Sequence, residues 1–384
     1  MSEFTPIPAR EPPASSVGVV GWLRTHLFSS WFNGALTVLI LWSLLLIVPP
    51  SLQWLLGDAS WSGGRSDDCK TDFVSPEDGE TYRVDAPGAC WTFTKVRFMQ
   101  IMFGLYFAAN PSEVWRPVLM FSLFGGLITP LLIPKFRWKW QLGMFTLLVF
   151  PFIAVALVHG EWLGLPVAET NEWGGFMLTF FLAAGGIVLA LPIGVVMALG
   201  RRSELPIIRS LCVFYIELWR AAPLITILFM ASNLLPLFFP SGVDFDKVVR
   251  ALIAITMFQS AYTAEAIRGG LQAIPKGQDE AASALGMGYW RKTGFITLPQ
   301  AMKISIPGIV NTFIELFKDT TLVGIIGLHD FLGSAQIAAR SPEWKGYDFE
   351  AYVYVALIFF MCCFAMSKYS QHLERKLDTG HKER

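Results

Sequence analysis

The sequence predicts an all-α polytopic membrane protein with about eight transmembrane helices, and three observations carry that expectation. The 384 residues are 53% hydrophobic and 16% charged, whereas soluble domains carry about 25% charged residues. Apolar runs near the ~20 residues needed to cross a bilayer recur along the whole chain. Lysine and arginine cluster at alternate ends of these runs, as cytoplasmic loops require. Lysine plus arginine equal aspartate plus glutamate at 30 each, so the net charge gives no sign of a nucleic-acid partner, and none is expected. The five cysteines form no CxxC pair and stand beside no histidine cluster, so no metal site is expected.

Residues 1–30 lack the short apolar core and small-residue cleavage site of a signal peptide and read as a retained cytoplasmic tail. The first span, about Phe32 to Val48, ends at Pro49-Pro50. A hydrophilic insert follows from Ser51 to Lys95, where acidic residues outnumber basic ones, which leaves it free to be external. In an oxidising compartment Cys69 and Cys90 can close a disulfide worth roughly 3 kcal/mol in the chain-entropy model; two free thiols are the other reading. Val96–Ala109 is short and interrupted by Arg97 and Gln100, which suits a re-entrant or interfacial segment better than a span. The run Val118–Pro134 leads to the cytoplasmic cluster Lys135, Arg137 and Lys139, and a third span, about Trp140 to Val158, leads outward to the Glu161–Glu172 loop. Trp54, Trp61, Trp91, Trp138, Trp140, Trp162 and Trp173 near these boundaries read as interfacial anchors.

From Trp173 onward the spans look like a complete module, with residues 1–172 as an addition. Phe176–Leu199 is rich in glycine and alanine, which allow close helix approach in lipid, and ends at Arg201-Arg202. About Val213 to Pro236, preceded by Arg209 and containing Glu217 and Arg220, goes out. Val249–Ile267 returns to Arg268, Ile304–Leu328 goes out again, and Tyr352–Ser367 ends inside at Lys368, Arg375, Lys376, Lys382 and Arg384. Both termini are then cytoplasmic. Cys212, Cys362 and Cys363 read as small packing residues in or near spans.

Between the third and fourth spans of this module lies a polar, small-residue stretch, 275–299. Pro275, Lys276 and Gly277 break the preceding helix, and Asp279 and Glu280 open a new one where acidic groups favour the positive helix end. Gly286 and Gly288 end it. Ala281, Ala282, Ala284 and Leu285 give it a slim surface able to sit deep in a groove of another protein, while Glu280 meets a polar or cationic group there. Arg291 and Lys292 are expected to meet water or lipid phosphates. Leu298-Pro299 starts the next membrane helix, proline suiting its first turn. A plain connector between two spans is the competing reading from composition alone.

The order Glu280-Ala281-Ala282, three residues, Gly286, nine residues, Ile296-x-Leu298-Pro299 resembles the cytoplasmic EAA loop of ABC importer permeases. Upstream, Ala261 to Gly270 with Ile274 to Gln278, and downstream Glu315 with Lys318-Asp319-Thr320-Thr321-Leu322, are similar to permeases of the polar amino-acid uptake family. Glu217-Leu218-Trp219-Arg220-Ala221-Ala222-Pro223-Leu224 is similar to that family's Glu-x-x-Arg-Gly-Thr-Pro-Leu signature, except that Ala221 and Ala222 replace glycine and threonine, which removes a hydroxyl and makes the backbone less permissive. The N-terminal addition resembles the longer permease of general L-amino-acid uptake systems.

The resemblance implies a C-terminal five-helix type I ABC importer permease core, 173–384, in a bacterial inner membrane. It implies uptake of amino acids, broad or polar L-amino acids, driven by a separate ABC ATPase dimer. It further implies a second related permease in a heterodimer, and an external or periplasmic amino-acid-binding protein. No G-x-x-x-x-G-K-[ST] loop occurs in the chain, so ATP and magnesium belong to the partner ATPase, and the chain is expected to hold no cofactor and to be no enzyme. Glu280, Ala281, Ala282, Leu285, Gly286, Leu298 and Pro299 carry the coupling. Charges within spans must face protein or water, so Glu217, Arg220, Tyr262, Glu265, Arg268, Glu315, Lys318, Asp319 and Thr320 form either core ion pairs or a translocation path. Glu265 can pair with Arg268, and Glu315 with Lys318 or share a face with Asp319. An ion-gradient-driven secondary transporter is the alternative of another class; a membrane enzyme is weaker, because no nucleophile–base pair or metal-ligand cluster stands inside a span.

Overall fold

The structure, a computed structural model, describes residues 18–74, 81–133, 136–238, 240 and 246–377, with the backbone alone described at 72–74 and 81–85. Lys135, Lys382 and Arg384, which the charge pattern places inside, lie outside the described residues. The chain divides into two compact units, 1–92 and 93–384.

The first unit begins with α1 (Gly18–His26) and α2 (Trp31–Leu52). Helix α2 does not stop at Pro49-Pro50 as expected. Pro49 and Pro50 lie inside it, and the Gln53 N–H donates to the carbonyls of both. A π turn then carries the helix to Gly57. In lipid a helix has nothing else to satisfy its backbone, so the chain keeps its helical course past the prolines although neither supplies an N–H. Strands β1 (Lys70–Val74) and β2 (Thr81–Asp85) pair antiparallel from Lys70↔Asp85 to Val74↔Thr81. The Cys69–Cys90 disulfide closes this lobe with a Cα–Cα distance of 5.7 Å. The Trp91 indole donates to Leu55 O at 2.9 Å.

The second unit opens with three short helices, α3 (Trp91–Val96), α4 (Phe98–Phe103) and α5 (Leu105–Ala109). None is long enough to span. Gly104 at φ +90° separates α4 from α5, with the backbone of Gly174 so close that a Cβ would collide. Ile101, Phe103 and Phe107 are buried, so the segment is a packed cap. Next come α6 (Trp115–Leu132), α7 (Lys139–Leu148) and α8 (Phe150–His159), the last two bent by 41° where a single span was expected. Pro151 supplies no N–H to bridge the break. Trp173, expected at a membrane interface, is a core residue, 3% exposed, its indole donating to Ala168 O at 3.0 Å.

The centre of this unit is α9 (Gly175–Arg201), packed on α12 (Lys247–Ala273), which packs in turn on α15 (Leu298–Asp319). Glycines make the close approach. Gly194 faces Thr263 and the Ser260 carbonyl, and Gly186 faces Ile255 and Leu316. The expected span from Val213 to Pro236 is instead two helices, α10 (Pro206–Ala221) and α11 (Leu224–Asn233), bent by 101°. Pro223 pushes its neighbour out of the α region, and Ala222 is extended at φ −99°, ψ 142°. Ala221, where glycine is usual, is the last residue of α10 and has no positive φ, so alanine replaces glycine there without a left-handed backbone. Among the described residues four helices are long and apolar enough to cross a membrane, or six with the bent pairs. Helices α12 and α15, 27 and 22 residues long or about 40 and 33 Å, have the length but carry charges; with them the all-α polytopic fold has about eight.

Beyond α15 a 3-10 segment, Thr320–Ile326, leads to α16 (Phe331–Ala339) and α17 (Asp348–Leu377). Asp330 caps α16, accepting from the Leu332 and Gly333 amides at 3.1 and 3.0 Å. Its side chain is in a residue only 1% exposed, and burial pushes its pKa up to about 6. A carboxyl with a raised folded-state pKa binds more protons folded than unfolded, so stability falls as pH rises from about 4 to 6. Thermal melts should show this loss in the wild type, and Asp330→Asn, which retains a capping oxygen, should flatten it.

Candidate functional site

The polar stretch between the third and fourth core helices forms α13 (Lys276–Ala284), capped by Pro275. The break therefore lies at Ile274-Pro275, and Lys276 and Gly277 belong to the new helix. Asp279 is in its first turn; Glu280 follows in the second. Gly286 at φ +74° ends it in the left-handed conformation that glycine allows. Ala282 faces inward at 2% exposure, whereas Leu285 is 82% exposed. Glu280 and Ala281 are exposed as well.

Lys292 does not remain with water. Its ammonium pairs with the Asp279 carboxylate at 2.7 Å and donates to the Ser283 hydroxyl, which ties the short helix α14 (Tyr289–Lys292) back onto α13. Leu298-Pro299 does not start a helix afresh either. Helical structure runs from Tyr289 through a π turn at Thr293–Thr297 into α15. Pro299 lacks the N–H that would complete the ordinary ladder, and a wider turn before it accommodates the loss. The consequence is continuity: α13 is clasped to a helical rod that becomes a core helix.

Two residues in this loop escaped the sequence reading. Trp290 and Phe295 are 78% and 79% exposed. With Leu285 they leave large apolar side chains uncovered around α13, and aromatic residues of this kind dominate contact energetics between proteins. Their signal in the sequence was an aromatic residue in an otherwise polar, basic stretch.

The second feature is centred on Glu265 of α12. One carboxylate oxygen accepts from both Nε (2.9 Å) and Nη2 of Arg268. The other stands 3.4 Å from Arg201 and 3.8 Å from Arg220. Arg201 also reaches Glu217 at 2.9 Å, and the Arg220 guanidinium lies 5.6 Å over the Tyr262 ring, within cation–π range. One carboxylate thus faces three arginines from α9, α10 and α12. The Glu217–Leu224 stretch is the corner between α10 and α11, and it delivers Glu217 and Arg220 to this cluster.

The segment at the end of α15 does not join it. The Glu315 carboxylate accepts from Asn311 at 3.0 Å, and of the two expected arrangements the ion pair with Lys318 is absent among the described residues. Thr320 is fully buried and bonds back to Phe317 O at 2.9 Å. Asp319 has no hydrogen-bond partner among the described residues. Thr256, Gln259 and Thr263 of α12 are buried, with side-chain Oγ1, Nε2 and Oγ1 lacking partners among the described residues. Their helical spacing was readable, but small polar residues in an apolar run gave no reason to single them out. No group of His, Cys, Asp or Glu able to hold a metal occurs among the described residues.

Residues 190–379 match the family model described as the binding-protein-dependent transport system inner membrane component. The chain is 45% identical over 378 residues to the inner membrane amino-acid ABC transporter permease protein YhdY of Escherichia coli (strain K12), covering 97% of each. It is 39% identical over 426 residues to the glutamate/glutamine/aspartate/asparagine transport system permease protein BztC of Rhodobacter capsulatus, again covering 97% of each. A solved amino acid ABC transporter, described as crystallised with histidines, aligns over 53% of this chain and 92% of that chain at 30% identity, with a TM-score of 0.47.

Proposed function

Because the chain belongs to the family of amino-acid ABC transporter permeases, we propose that it forms one half of an amino-acid path through a bacterial inner membrane and is driven by a separate ATPase docked on α13. The observation that carries the docking is the geometry of α13: Glu280, Ala281 and Leu285 point outward, and the Lys292–Asp279 pair ties the helix to the rod that continues into α15. ATP-driven closure of two ATPase subunits, with ATP and magnesium held by them, would pull on that rod and rock the membrane halves between inward- and outward-facing states. An external binding protein delivers the substrate, and a related permease supplies the other half as a heterodimer.

We place both termini in the cytoplasm and take 173–384 as the transporting core, with 1–172 an addition. The path runs beside α12 and α15, where the Asp319 carboxylate, without a hydrogen-bond partner among the described residues, the Glu265 cluster and the buried row Thr256, Gln259, Thr263 supply polar groups to these helices. Such groups are costly in a membrane unless they meet protein, water or a substrate. Broad or polar L-amino acids are the substrate class.

The test is uptake by the complex, purified from its native membrane and reconstituted in proteoliposomes. Labelled glutamate or glutamine should accumulate with internal ATP and no ion gradient. Asp319→Asn should lower uptake at least about tenfold while leaving assembly intact, by the loss of one charge-assisted contact. Uptake that follows a proton or sodium gradient and ignores ATP would favour a secondary transporter and defeat this reading.

A further inference from the structure

Where α9, α10 and α12 meet the start of α13, a pocket of about 720 Å³ is lined by Arg201, Arg202, Arg209, Arg268 and Lys276. Its floor is apolar, formed in part by Val213 and Leu271. Arg201 and Arg268 are already engaged with Glu217 and Glu265. Arg202, Arg209 and Lys276, by contrast, have no carboxylate within 4.0 Å among the described residues. Five cations therefore line one cavity, and the carboxylates that pair with two of them are not among its lining residues.

Such an arrangement is electrostatically incomplete. Like charges gathered at one opening repel each other, and an anion placed among them removes the repulsion and gains charge-assisted hydrogen bonds. Guanidinium forks match the oxygens of a phosphate better than a single ammonium does. The volume lies within the range of small-ligand sites. On α10, Ile207, Leu211 and Phe214 are exposed at 74%, 64% and 65%, on the helix face opposite the pocket-lining Arg209 and Val213.

We propose that this pocket binds a phosphate-bearing anion, supplied either as the headgroup of an anionic phospholipid or as free phosphate. The site shares Arg201 and Arg268 with the Glu265 cluster and takes Lys276 from the first turn of α13, whereas Arg202 and Arg209 belong to neither the docking surface nor the proposed path. The anion stitches the ends of three core helices together at the point from which α13 departs.

Native mass spectrometry of the full-length chain, purified in neutral detergent, tests this with three separate titrations: phosphatidylglycerol, phosphatidylcholine and inorganic phosphate. Phosphatidylglycerol should bind more tightly than phosphatidylcholine. Each cation near the surface contributes about fivefold, so the Arg202→Gln, Arg209→Gln, Lys276→Gln triple variant should weaken it by well over tenfold. A control, Lys368→Gln with Arg375→Gln at the end of α17, should leave it unchanged. Displacement of the lipid by millimolar phosphate would identify free phosphate as the source; retention in its presence would identify the lipid. If the triple variant does not fold, Arg209→Gln alone, on an exposed helix surface, should still weaken binding about fivefold. Equal binding of the two lipids with no binding of phosphate, or equal losses in the pocket and control variants, would overturn the proposal.

Discussion

Deleting Ala281–Gly286 should abolish association of the chain with its ATPase while leaving membrane insertion intact, and Glu280→Lys should weaken it about thirtyfold or more. The deletion removes the last turn and the left-handed stop of α13, so no helix remains to enter a groove. The point substitution is gentler but reverses a charge that stands exposed on the second turn, and a central contact of this kind is worth at least about 2 kcal/mol. Neither change touches α12 or α15, which lie on either side of the loop and pack in the core. Co-purification from membranes expressing all subunits measures the effect, and insertion is followed by the protease resistance of the flanking helices. Undiminished ATPase recovery with the deletion would remove α13 from the coupling.

The second large effect belongs to Glu265. Its carboxylate side chain is 22% exposed and stands among Arg201, Arg220 and Arg268, themselves 25%, 32% and 31% exposed. Changing Glu265 to Ala leaves three guanidinium groups facing one another with Glu217 as the remaining counter-charge. Removing one partner of a buried pair costs about 3–5 kcal/mol, and the partial exposure puts this case at or below the lower end. A detergent-solubilised variant should melt several degrees lower, whereas Glu265→Asp should recover part of the loss. Because Arg268 makes the shortest contacts, the double variant Glu265→Ala, Arg268→Ala should be less destabilised than the sum of the two single changes. Strict additivity would mean that the pair is not coupled.

The fold class was legible because lipid imposes a simple code: length, apolarity and the side on which cations stand. Where the code failed, local chemistry decided. Pro49-Pro50 reads as a stop, yet α2 continues through both prolines. The opposite holds at Pro223, where an identical residue type in a similar apolar run produces a corner of 101°. No pattern within the run separates the two outcomes. Val96–Ala109 was correctly read as too short and too polar to cross, but its role as a cap over the start of α9 depends on Gly104, Gly174 and Gly175 meeting at close range, a tertiary fact.

The candidate site was legible in part for the same reason. The Glu265–Arg268 pair is an i,i+3 relation within one helix and could be read directly. That Arg201 and Glu217 complete the cluster could not, since they come from α9 and α10, which pack on α12 and on each other. The spacing rule leaves Glu315 either pairing with Lys318 or sharing a face with Asp319; the structure has no Glu315–Lys318 pair among the described residues, and Glu315 accepts from Asn311 one turn earlier. The outward display of Leu285 was consistent with the slim-helix reading, whereas the exposure of Trp290 and Phe295 followed from the clasp between Lys292 and Asp279.

Site-specific photocrosslinking tests most directly whether α13 and its exposed apolar neighbours are the joint to an ATPase. A photoreactive side chain placed at Leu285 or Trp290, in the complex assembled in its native membrane, should give an adduct with the nucleotide-binding subunit. The same group at Trp162, which is 69% exposed on a loop assigned to the opposite face, should give none. Adducts from Trp162 alone, or no ATPase adduct from Leu285 and Trp290 in an intact complex, would contradict the account.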